Sequence, residues 1–180
     1  MEQSRVPRAS ATSPDYRLTL FSLVGDQDPR AILRDPTSHL ETILAGVSVD
    51  EMRFPEAPGK WSILQVLGHL VDTELTYGFR ARLILAQDRP PIAGYDQDAF
   101  GERLHYNEMD PRQLLETLRM VRRHNLALAD RLSDEELDRE GLHSERGPES
   151  VRMIIRMMAG HDLVHRRQIQ RIKDSFTNLA

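Results

Sequence analysis

The stretch from Ser150 to Phe176, SVRMIIRMMAGHDLVHRRQIQRIKDSF, decides the fold. It contains no proline, and its one glycine, Gly160, is internal. At 100° per residue, Ile154, Ile155, Met158, His161, His165, Ile169 and Ile172 fall on one side, so the stretch reads as a long helix with an apolar stripe for a core. Two histidines stand inside that stripe, four residues apart. At this spacing both imidazoles can reach one point beside the helix, where each could offer a lone pair to a metal ion. Two separate core histidines, each hydrogen-bonded to a neighbour, would give the same pattern. The segment GHDLVH approaches the H-E-x-x-H signature, but Asp162 stands where the glutamate belongs and its carboxylate is shorter, which argues against a zinc protease.

Three further helices lie upstream. The first is expected from about Pro29 to Val47, with Leu33, Leu40, Ile43, Leu44 and Val47 at helical spacing, Pro36 as an interruption and Asp35 as the cap that restarts it. A loop rich in breakers, VSVDEMRFPEAPGKW, follows. The second helix opens at the Ser62 cap and runs to about Gln87, where Asp88-Arg-Pro-Pro ends it. Residues 89–107 form a long irregular connection with room for one short helical turn. The third helix starts at Asp110-Pro111 and reaches about Leu132; Ser133-Asp-Glu-Glu is a short capped turn. Gly141, Gly147 and Pro148 mark the loop before the fourth helix. No segment alternates convincingly as a strand. An all-α four-helix bundle over residues 28–176 is expected, preceded by a loose tail and lead-in at 1–27 and followed by a short tail at 177–180.

The second helix adds a third metal-ligand candidate. His69 borders an apolar arc of Ile63, Val66, Leu67, Leu70, Tyr77 and Ile84. Beside it runs a polar stripe of Asp72, Thr73, Thr76 and Arg80, which suits a wet cavity next to a metal and equally an ordinary solvated flank. Glu74 falls inside the apolar arc and needs a cation, from Arg80, Arg82 or another helix. On the third helix Leu114, Leu118, Val121 and Ala129 point inward, and Asn125 shares their face. Tyr95, Asp96 and Asp98 sit on the long connection, where they could close over the bundle end or cap local backbone groups. Trp61 is expected to staple the start of the second helix. His39, His105, His124 and His143 read as surface or core residues.

Composition narrows the function classes. The chain has 180 residues, a formal net charge of −4 and no cysteine. The charge speaks against nucleic-acid and anionic-membrane binding. The arginines at 119, 122, 123, 166, 167 and 171 read as a solvated helix surface. Disulfides, thiolate ligands and a cysteine nucleophile are excluded. No apolar run is long enough for a membrane span and the start carries no secretory signal, so the cytoplasm is the expected location.

KWSILQVLGHLVDTE on the second helix, YDQDAF in the connection and AGHDLVHRRQIQRI on the fourth helix together resemble the DinB/YfiT-like superfamily of four-helix-bundle metalloproteins. The resemblance covers about residues 28–172. It implies an up-down-down-up bundle, frequently a homodimer, and a divalent metal ion held by His69, His161 and His165. Members of known activity are mostly thiol-dependent, including bacillithiol or mycothiol S-transferases and a maleylpyruvate isomerase; many others are stress-related bundles. The resemblance therefore implies a metal-dependent S-transferase or hydrolase acting on a small molecule, with a low-molecular-weight thiol as a candidate cosubstrate. A non-catalytic metal- or ligand-binding bundle is the other reading. Three imidazoles suit several divalent ions, with Zn or Ni expected. The pocket candidates are Asp72, Thr76, Tyr77, Arg80, Tyr95, Asp96, Asp98 and Asn125.

Overall fold

A computed structural model describes residues 14–34 and 37–177. In chain order the described elements are α1 (Pro14–Val24), α2 (Pro29–Leu33), α3 (Ser38–Leu44), α4 (Val49–Met52), α5 (Ile63–Ala86), β1 (Pro91–Ile92), α6 (Gln97–Arg103), a 3-10 turn (Tyr106–Glu108), α7 (Pro111–Ala129), α8 (Asp134–Leu137), β2 (Glu140–His143), β3 (Gly147–Ser150) and α9 (Val151–Thr177). No described helix is long and apolar enough to cross a membrane.

The long helices begin where the sequence supplies caps. Ser62 accepts from Gln65 N while Gln65 Oε1 accepts from Ser62 N, a reciprocal capping box. Asp110 accepts from Arg112 N and Pro111 occupies the first helical position, where its missing N–H costs nothing. The expected first helix is split. Asp28 caps α2 and α3 begins after Thr37; the Pro36 break and the Asp35 cap lie outside the described residues.

Side-chain contacts fix the helix directions. Glu74 of α5 meets Arg122 of α7, and Arg82 meets Asn125 further along both, so α5 and α7 run parallel. Leu64 and Leu67, early in α5, pack with Ile169 and Ile172 late in α9, and Ile84, late in α5, packs with Ile154 early in α9, so those two are antiparallel. In the first helical arm, Arg30 donates to Ala129 O and Thr37 accepts from Arg119, which sets the arm against the direction of α7. Its far end lies beside the far end of α9, where Lys173 donates to Ile43 O. The result is an up-down-down-up four-helix bundle. Two parallel neighbours need a long return, and residues 87–110 supply it with β1, α6 and the 3-10 turn.

The core is divided in two. Leu40, Leu44, Leu64, Leu67, Leu114, Leu118, Ile169 and Ile172 fill one end. Leu33, Ile84, Leu126, Ile154, Met157 and Met158 fill the other. Between them α5, α7 and α9 contribute polar side chains at one level.

Several expectations need correction. Residues 14–24, read as part of a loose tail, form α1, which packs on α9 through buried Leu20 and Val24. Gly160 permits the approach, since a Cβ there would lie 2.5 Å from Leu20 O. Val49–Met52 is helical, closed by a Ser48–Glu51 capping box. A small three-stranded sheet also exists: β1 pairs parallel with β2, and β2 antiparallel with β3. Its inward residues on β2 are Gly141 and His143, so no apolar alternation announces it. Finally, the arginines are not a solvated surface as a group. Arg122 is 3% exposed, and Arg119, Arg166 and Arg171 are each paired to a carboxylate.

Candidate metal centre

Three imidazoles converge midway along the bundle. His69 Nε2 lies 2.9 Å from His161 Nε2, and His165 Nε2 lies 3.1 Å from the same atom. The three residues are 3%, 8% and 7% exposed. The spacing of 161 and 165 places both rings on one face of α9, and the antiparallel packing of α5 brings His69 against them.

The chemistry of this donor set can be read from its hydrogen bonds. Gln168 Oε1 can only accept, and it sits 2.7 Å from His165 Nδ1, so Nδ1 carries the proton and Nε2 presents a lone pair to the cluster. A neutral Nε2 of His161 holds either one proton or one lone pair, yet it stands in both short contacts. It cannot make two well-directed N–H···N bonds. Burial pushes the His161 pKa well down, with the two neighbouring histidines and Arg122 adding to the effect, so protonation does not resolve the crowding. A cation does. A tetrahedral ion with bonds of about 2.1 Å requires nitrogens about 3.4 Å apart. The three donor atoms, all within 4.8 Å of one another, could hold one metal ion after small ring movements. Three protein ligands leave a position for water or substrate.

Aromatic and polar groups wall the cluster. Trp61 stacks on His165 at 6.5 Å between ring centroids and 16° between planes, and meets His69 at 4.9 Å. It therefore does more than staple the helix start. Thr73 Oγ1 lies 3.5 Å from His69 Nε2 and 3.4 Å from the Tyr95 hydroxyl. Tyr95 continues to Arg80, whose Cζ is 5.8 Å from the Tyr95 ring and 5.2 Å from the Tyr77 ring.

The other pocket candidates separate by position. Asp72 accepts a hydrogen bond from Tyr106 OH. Asp96 caps α6, accepting from Asp98 N and Ala99 N; Asp98 is exposed in the first turn of that helix. Thr76 is half-buried on α5. Asn125 stands on the opposite side of α5 from His69. It donates to Glu74 O and Oε1 and accepts from Arg82. It thus belongs to a buried ionic group rather than to the histidine side. Arg122 Nε donates to Glu74 Oε2 at 2.5 Å and Nη2 to Asp162 Oδ1 at 3.1 Å, while Arg166 donates to Asp162 Oδ2 at 2.8 Å. Glu74 and Asp162 are each 1% exposed. The sequence reading did not assign Arg122 or Asp162 to this group. The signal was available, because Arg122 continues the Leu114, Leu118, Leu126 spacing.

Fold and centre together define a helical-bundle protein with a three-histidine site able to hold a metal ion. Residues 33–169 match the model of the DinB superfamily, and the chain belongs to that superfamily. A protein of Oceanobacillus iheyensis named "Putative metal-dependent hydrolase" is 24% identical over 134 residues, spanning 74% of this chain and 77% of that one. YfiT of Bacillus subtilis, of the same name class, is 25% identical over 114 residues, spanning 63% and 64%. The solved structure of YfiT, described as a probable metal-dependent hydrolase with an unusual four-helix bundle topology, superposes with a TM-score of 0.76. It covers 96% of this chain and 94% of its own at 21% identity, which supports the fold.

Proposed function

We propose that His69, His161 and His165 hold one divalent metal ion, Zn or Ni, and that the protein is a metal-dependent enzyme acting on a small molecule, of the hydrolase or thiol S-transferase type. The observation that carries this reading is the convergence of three buried Nε2 atoms with the His165 lone pair directed inward by Gln168. A bound ion would supply Lewis acidity and bring a coordinated water or thiol toward ionisation near neutral pH. With no cysteine in the chain, any thiol would arrive as a cosubstrate. Thr73 and Tyr95 place two hydroxyls beside His69, suited to orient a ligand at the remaining metal position. The names of the relatives favour hydrolysis. Exposed Leu75 and Phe79, one turn apart on α5, support a homodimer through that face, which sedimentation would check.

The test begins with elemental analysis of protein purified without a histidine tag. One divalent ion per chain is expected, lost in His165→Ala while helical circular dichroism is kept. Metal-dependent ester or amide cleavage is then assayed against thiol addition to electrophiles. Protein that folds fully yet retains no ion from any divalent metal overturns the reading. A collapse of the melting temperature in His165→Ala instead assigns the ion a structural role.

A further inference from the structure

A second polar group lies beyond Tyr95, between α5 and the small sheet, and the metal reading leaves it unused. Arg80 is 4% exposed, yet no carboxylate pairs with it among the described residues. Its one hydrogen bond there goes from Nη2 to Ala93 O at 2.7 Å. The tyrosine faces of residues 77 and 95 flank the guanidinium. The carboxylate that acts on it electrostatically, Glu149, is already held by the two nitrogens of Arg146. Buried guanidinium groups are ordinarily paired, because leaving one uncompensated is costly.

His143 supplies the independent observation. It is 3% exposed, and its Nε2 is buried without a hydrogen-bond partner among the described residues. Glu145 N donates to its Nδ1 at 3.2 Å, so in the neutral ring the proton sits on Nε2. Burial and the nearby arginines keep the ring neutral by lowering its pKa. The result is a buried N–H donor with nothing to donate to, which a native structure rarely leaves. Strand geometry places it near Arg80, which acts on its ring electrostatically. A Cβ on Gly141 would lie 3.0 Å from Ile84 Cγ1, and Arg139 reaches the carbonyls of Ile84 and Gln87, so β2 runs back along α5. Two residues beyond Gly141 is about 6.6 Å of strand. One turn before Ile84 is about 5.4 Å of helix. Those steps bring His143 to the level of Arg80.

We propose that Arg80 and His143 form an anion-recognition subsite that takes the carboxylate or phosphate of the small molecule processed at the three-histidine centre. The guanidinium and the Nε2–H of His143 only donate, and among the described residues no carboxylate is in contact with either, which fits anionic oxygen. The chain of contacts His69, Thr73, Tyr95, Arg80 joins the subsite to the centre, so an extended ligand can place its anionic end on Arg80 and its reacting end at the metal. The inference deepens the metal-enzyme reading and rests on it for the reacting end; the anion subsite itself does not need the ion.

Calorimetric titration of the full chain with succinate and with inorganic phosphate tests this, on metal-loaded protein and after chelation. Saturable binding is expected, with the tighter probe identifying the anion. Arg80→Gln should weaken it about tenfold or more, and His143→Gln by a smaller factor, with metal content unchanged. Equal binding by wild type and Arg80→Gln, or no binding of either probe to wild type, overturns the subsite. Anion binding that depends on Arg80 in folded protein that takes up no divalent ion when metal is supplied sinks the metal reading and leaves the subsite standing. Should Arg80→Gln not fold, the wild-type His143 Nε2–H resonance decides. A saturable shift on adding the probe supports the subsite, and an unchanged resonance refutes it.

Discussion

Replacing Arg122 with methionine tests what the ionic group in the bundle centre does. The substitution keeps the unbranched stem and removes the guanidinium. Asp162 would retain Arg166, but Glu74, 1% exposed, would retain only the Asn125 amide. Removing one partner of a buried ion pair costs about 3–5 kcal/mol, chiefly because the surviving charge is stranded. For a chain of this size each kcal/mol is worth about 2–4 °C, so the melting temperature should fall by about 6–20 °C. Replacing Glu74 with methionine as well removes the stranded charge, and the double variant should recover most of the loss.

The same variant has a signed pH dependence. Burial already raises the Glu74 carboxyl above its ordinary value, against the lowering effect of Arg122 and the Asn125 bond. Without Arg122 it rises further. A carboxyl whose folded pKa exceeds its unfolded value, about 4.3, stabilises the fold below that value and loses this contribution as pH rises through the folded pKa. The penalty of Arg122→Met relative to wild type should therefore be largest near pH 8 and shrink toward pH 5. Melting followed by circular dichroism on chelator-treated protein measures both effects in one metal state. A single variant within about 2 °C of wild type refutes the assignment. So does a penalty independent of pH, or a double variant no better than the single one.

Trp61 is the one tryptophan in the chain and touches two rings of the centre, so Ni(II) should quench its emission saturably. His69→Ala should abolish the effect, and quenching that survives would place the ion elsewhere. Gln168→Ala removes the acceptor that fixes the His165 tautomer and should weaken metal binding about tenfold to a hundredfold in chelator competition. Gly160→Ala drives a Cβ into Leu20 O and should lift α1 from α9, at about 1–3 kcal/mol. Faster amide exchange across residues 14–24 is the expected readout, and unchanged exchange counts against the close approach.

What could be read in advance depended on whether one element carried its own signal. Helix α9 did, because its stripe and its histidine pair repeat at the helical period. So did the starts of α5 and α7, written as Ser62 with Gln65 and as Asp110-Pro111. The sheet did not, because strands of two and four residues with Gly141 and Pro148 in them owe their pairing to distant partners. Helix α1 was hidden because its docking depends on the bareness of Gly160, far along the chain, while Leu18 on the same helix is 65% exposed. Glu74 was recognisable as needing a cation, but the choice of Arg122 over Arg80 or Arg82 follows from the parallel packing of α5 and α7. His143 looked like a loop residue until β2 turned it inward.

The placement of the ionic group also bears on the candidate metal centre. On α5 the imidazole of His69 and the carboxylate of Glu74 face opposite sides of the helix. On α9 His161 and His165 share one face, and Asp162, adjacent to His161, points about 100° away. Each helix thus sends imidazole to one side and carboxylate to the other. Arg122 of α7 holds both carboxylates at once, and its remaining nitrogen reaches Leu33 O of the first helical arm at 3.4 Å. The clamp fixes how far α5 and α9 can rotate or slide past each other, and that freedom would otherwise separate His69 from His161 and His165. A three-nitrogen site on two helices needs such restraint before the ion arrives, since donors misplaced by an ångström bind metal poorly. An ionic clamp in the core is a weak source of stability but a directional one. A hydrophobic layer at the same level would pack as tightly without setting the rotation of the two histidine-bearing helices.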